Sequence, residues 1–188
     1  MKTLMIFGGF VLFCLLSLGG CSMIIHNGLV KADETCEEKW AEIDNMLKRR
    51  TDLLPNMVAT VKGYAKHEKE IFVAVAEARS KLIGAKGVTA KGKASSQMDS
   101  AISRLLMVAE RYPDLKANKN FIRLQDEIAG TENRIAVART RYNEAIKKFN
   151  VKIKKIPGSF FAGSMGLEKR QYFEITTPQD REVPTVQF

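Results

Sequence analysis

The side chains able to do chemistry in this chain fall into three groups. Arg49, Arg50, Asp52 and Asn56 crowd one stretch, and Glu132, Asn133, Arg134, Arg139, Arg141, Tyr142 and Asn143 crowd another. A guanidinium pairs with a carboxylate through two parallel hydrogen bonds. These stretches therefore suit a buried or half-buried Arg–Asp–Glu network, which either fixes the register of packed helices or lines a polar groove for a small ligand or peptide. The second group is wholly basic: Lys147, Lys148, Lys152, Lys154 and Lys155. The third is a thiol, Cys21, at the end of an apolar run. Other chemistry lacks its parts. His67-Glu68-Lys69-Glu70 is half of a zinc-protease motif, but Ile71 stands where the second histidine belongs. Carboxylates such as Glu37-Glu38 and Asp126-Glu127 are sequence neighbours and point in different directions on a helix. With no nucleophile elbow, phosphate-cradling glycine loop or Cys–His pairing, the chain reads as non-enzymatic, without metal or cofactor.

The surroundings of Cys21 are specific. Lys2 precedes an apolar run from Leu4 to Leu18, about 15 residues against the roughly 20 that a spanning helix needs, and Leu18-Gly19-Gly20-Cys21-Ser22 follows. This resembles a bacterial lipobox, in which cleavage leaves a lipidated cysteine as the new amino terminus. Residues 1–20 are then a signal peptide and Cys21 the lipid attachment site. Alternatively Met23-Ile24-Ile25 extends the run to about 22 residues, an uncleaved membrane segment. Both readings tie the chain to a membrane. Lipidation places the body outside the cytoplasm, on the periplasmic side or cell surface, whereas Lys31, Lys39 and Lys48-Arg49-Arg50 after an uncleaved span favour a cytoplasmic body. Cys14 lies in the leader, which leaves Cys36 without a disulfide partner, a small apolar helix residue.

These groups must be positioned by helices. The 188 residues are 45% hydrophobic, 27% charged and poor in proline, a water-soluble helical profile for one domain after the leader. Leu29, Ala32, Cys36, Trp40, Ile43 and Leu47 mark one helix face, and Thr51–Asn56, with Pro55, predicts a tight turn. Met57, Val61, Tyr64, Ile71, Val75, Ala78 and Leu82 mark a second helix, broken in register by Glu68. Lys86–Ser96 reads as a mobile loop, and Ser96 or Asp99 starts a third helix carrying Ile102, Leu105, Leu106 and Ala109 up to Tyr112-Pro113-Asp114. The fourth runs from Phe121 through Leu124, Ile128, Thr131, Ile135, Ala138, Tyr142, Ala145 and Phe149 to Ile153 in steps of three and four, a coiled-coil-like seam. The expected fold is all-α, an up-and-down four-helix bundle over residues 21–156 with a partly docked tail at 157–188, disordered beyond Thr176.

A net charge of +9 calls for anionic partners. Export restricts these to lipid headgroups, envelope polymers and acidic protein surfaces, and the lysines lack interleaved stacking aromatics, so nucleic acid is not expected. In an up-and-down bundle the lysine end of the fourth helix returns to the bilayer.

A series of ordered motifs runs along the chain: Asn27-Gly28-Leu29-Val30, Trp40 to Arg50, Asp52-Leu53-Leu54-Pro55-Asn56, Val61 to Glu68, Tyr112-Pro113-Asp114-Leu115-Lys116-Ala117, Phe121, Leu124-Gln125, Thr131-Glu132-Asn133-Arg134-Ile135, Ala138-Arg139 and Arg141-Tyr142-Asn143. Together they resemble the LemA family of bacterial membrane-anchored helical proteins. The resemblance implies a four-helix bundle on an amino-terminal membrane segment and brings no established catalysis. His26 stands where the family usually has tyrosine, and the lipobox replaces its more typical uncleaved helix. The expected function is a membrane-anchored, non-enzymatic binding or scaffold module with envelope protein partners. The alternative is a small-ligand or peptide receptor built on Arg49, Arg50, Asp52, Asn133 and Arg134.

Overall fold

The computed structural model describes residues 2–174, with the backbone alone for 2–8 and 10–18. Most side chains of the apolar run Leu4–Leu18 and the whole tail from 175 onward, which includes the stretch beyond Thr176 expected to be disordered, lie outside the described residues. Within them there are six helices and no strand: α1 (Lys2–Tyr64), α2 (Lys69–Gly84), α3 (Val88–Arg111), α4 (Pro113–Lys116), α5 (Lys119–Lys154) and α6 (Gly158–Ser164). Among the described residues no helix is long and apolar enough to cross a membrane. The chain divides into two compact units, Met1–Lys39 with Glu144–Arg170, and Trp40–Asn143 with Gln171–Phe188.

The turn expected at Thr51–Asn56 is absent, and Pro55 sits inside α1. Proline has no N–H to give the carbonyl four residues back, which leaves the Thr51 oxygen without its ladder bond. Arg79 of α2 supplies the replacement, its Nε donating to that oxygen at 3.0 Å. The break falls instead at Ala65–Glu68, the polar interruption in the seam.

In the larger unit the contacts fix directions. Arg79 meets Thr51 and Lys62 lies over the Phe72 ring, so α2 runs antiparallel to α1. Asp44 pairs with Lys91 and Arg50 with Asp99, so α3 runs parallel to it. Trp40 packs on Tyr142 while Arg50 reaches Glu132, so α5 is antiparallel. Ile43, Leu47, Leu54, Met57, Val75, Leu105, Leu124 and Ile135 are buried between them. The loop expected at Lys86–Ser96 is instead the start of α3. Its buried residues Gly92, Ala94, Ser95 and Ser96 are all small and permit close approach. A Cβ on Gly92 would lie 2.6 Å from the Glu174 carbonyl oxygen. The segment Gln171–Glu174 is docked there: Asn143 accepts from the Phe173 N–H at 2.9 Å and donates to its carbonyl at 3.1 Å, and Tyr142 donates to the Gln171 carbonyl at 3.0 Å.

In the smaller unit Leu29 and Cys36 of α1 are buried, as are Ile146, Phe149 and Asn150 of α5. Ile146, rather than the expected Ala145, continues the seam. Asn150 treats Arg170 as Asn143 treats Phe173, accepting from its N–H and donating to its carbonyl, both at 3.0 Å. Gly158 is buried against the Lys152 carbonyl and Leu29.

Candidate functional site

Arg50 is the one buried charged side chain among the described residues, 4% exposed. It lies on the α1 face that carries Leu47 and Leu54, which forces its stem into the core and its head toward α3 and α5. Its Nη1 donates to Asp99 Oδ1 at 2.5 Å and pairs with Glu132. One guanidinium thus ties three helices. Burial pushes the Asp99 carboxyl above the ordinary carboxylate range; Arg50 and Arg139 pull it down and Glu132 pushes it up, and burial prevails. The Arg50 Nε has no hydrogen-bond partner within the described residues. A cavity of about 310 Å³ borders the network, lined by Arg50, Asp99, Gln125, Glu132 and apolar neighbours.

Of the polar residues expected to form a network, the structure brings together Arg50 and Glu132, with Arg139 near enough to act on Asp99. Arg49, Asp52, Asn56, Asn133 and Arg134 are exposed. Asp52 lies on the rim of a cavity of about 270 Å³ with Asp44, Lys48 and Lys91, while Asn133 and Arg134 line another, of about 460 Å³, with Glu42, Met46 and Arg141. Sequence reasoning took Asp99 only as a helix start. Its polar character among the apolar positions Met98, Ile102 and Leu105 was the available signal.

The smaller unit holds a second network that sequence reasoning missed. Asp33 and Glu37, one turn apart on α1, both bind Arg170, Asp33 at 2.7 Å from its Nε. Burial would lower the Arg170 pKa, and the hydrogen bonds to the two carboxylates outweigh it and raise it. Cys36 beside them is fully buried, and desolvation pushes its thiol up, which leaves it a weak nucleophile. Cys21 is exposed. Lys147, Lys148, Lys152, Lys154 and Lys155 are all exposed at the end of α5, and Lys152 donates to the Gly28 carbonyl of α1 at 3.2 Å. Among the described residues no cluster of His, Cys, Asp and Glu could hold a metal ion.

The geometry defines an all-helical protein cross-tied by Arg–carboxylate networks, one of them centred on buried Arg50, and its sequence matches the LemA family over residues 39–188. The chain belongs to the LemA family. It is 30% identical to Protein LemA of Metamycoplasma hominis, over 77% of this chain and 68% of that protein. It is 26% identical to Magnetosome protein MamQ 2 of Paramagnetospirillum magneticum and 25% identical to Magnetosome protein MamQ of Magnetospirillum gryphiswaldense, in each case over 86% of this chain and 69% of the relative.

Proposed function

We propose that this protein is a membrane-anchored, non-enzymatic helical scaffold of the bacterial envelope, attached through lipidated Cys21, whose body is an up-and-down four-helix bundle binding other envelope proteins. The observation that carries the reading is that exposed Cys21 and the amphipathic face through Leu29, Cys36, Ile43 and Leu47 belong to one helix, Lys2–Tyr64. A force or a partner acting on the body is then coupled directly to the anchor. The alternating directions of α1, α2, α3 and α5, with short connections, support the bundle. Crosslinking of intact cells followed by purification of the chain should recover a second envelope protein. Recovery of the monomer alone would remove the scaffold role.

A receptor reading keeps one supporting observation, the partnerless Arg50 Nε beside its cavity. Because Asp99 and Glu132 already neutralise Arg50, a ligand there would be a neutral acceptor rather than an anion. Ligand screening by thermal shift should then yield a stabilising compound whose effect vanishes in Arg50→Lys.

A further inference from the structure

Among the described residues the four most exposed large apolar side chains are Ile156 (90%), Phe160 (80%), Ile24 (74%) and Met23 (68%), and all four belong to the smaller unit. Ile156 and Phe160 flank the turn from α5 to α6. That turn is held against α1, with Gly158 packed toward Leu29 and Lys152 bonded to the Gly28 carbonyl. Ile24 and Met23 lie four and five residues before Gly28, about 6–8 Å along the helix toward Cys21. The same end of the unit is basic without relief: no Asp or Glu occurs between Glu144 and Glu168, or anywhere before Asp33. The dipole of α5 accounts for lysines at its carboxyl end, but it gives no reason for bare Ile156 and Phe160 among them.

We propose that the α5–α6 turn is a second membrane contact, with Ile156 and Phe160 entering the headgroup region of an anionic bilayer and Lys147, Lys148, Lys154 and Lys155 resting over its phosphates. The occupant follows from charge complementarity and from the continuity of this surface, through Ile24 and Met23, with exposed Cys21, the proposed lipid attachment point. A lipid surface accepts apolar side chains and cations side by side. The inference rests on the anchored reading and adds what the anchor alone lacks, a fixed tilt of the body on the membrane.

The test uses the full chain carrying Phe160→Trp, purified from membranes and reconstituted into phosphatidylcholine vesicles with or without phosphatidylglycerol. Flotation reports the anchor, and quenching of the added tryptophan by a headgroup-level spin-labelled lipid reports the turn. The expected result is flotation with both vesicles and quenching that strengthens with phosphatidylglycerol. Adding Lys148, Lys154 and Lys155→Gln should weaken contact of the turn about a hundredfold and remove the quenching while flotation persists. Flotation without quenching overturns the second contact and leaves the anchor standing; absence of flotation overturns both. Shielded emission that no lipid quencher reaches would place a protein on the turn, also overturning the lipid assignment.

Discussion

Arg50 holds its place through two carboxylates that differ in exposure, and this sets what its loss costs. Asp99 and Glu132 keep part of their hydration, so Arg50→Met should destabilise by about 2 kcal/mol, below the usual cost of breaking a fully buried pair. Asp52→Ala, at an exposed side chain, should change stability by no more than about 0.5 kcal/mol. Denaturant midpoints of both variants check the contrast, and equal losses would refute the assignment. Asp99 also makes a pH prediction. Because burial raises its folded pKa, the native state holds the proton more tightly than the unfolded chain. Its contribution to stability is therefore greatest below the ordinary carboxylate value and falls as pH rises through the raised one. Relative to Asp99→Asn, the wild type should lose stability as pH rises above the ordinary aspartate value of about 4, and parallel profiles would contradict this. The Arg–Asp–Glu chemistry was readable from residue types. The identity of the aspartate was not, since spacing along the chain does not reveal which positions on different helices come to face one another.

Pro55 shows why an element can defeat a sound local rule. The rule concerns an unsatisfied carbonyl, and a side chain 28 residues away satisfies it. Arg79→Ala should cost about 1–3 kcal/mol by orphaning the Thr51 oxygen, and much less in a Pro55→Ala background, where the restored N–H serves instead. Urea unfolding of the four proteins measures the coupling, and additive effects would show that Arg79 acts otherwise. A comparable tertiary effect makes helix of Val88–Ser96, whose glycine, serines and lysines read as a loop until the approach of Glu174 to Gly92 is known. Gly92→Val should therefore release Gln171–Glu174 and speed proteolysis there, with the secondary structure unchanged. By contrast α5 was readable almost to its ends, because an unbroken seam of threes and fours has few other uses.

At the scale of the molecule, the all-helical class and the family were readable, since ordered motifs and amphipathic periods extend over most of the chain. The networks at Arg170 and Asn150 were not, because an irregular tail carries no period to place it. Membership of the LemA family brings shape before function, and the functional account turns on Cys21, the proposed lipid attachment site. The most direct measurement is the intact mass of the membrane-extracted protein, wild type and Cys21→Ala, together with protease digestion from outside the inner membrane. The account predicts a lipid-sized increment on a chain beginning at Cys21 that disappears in the variant, and a wild-type body open to external protease. A full-length, unlipidated chain with a protected body would contradict it.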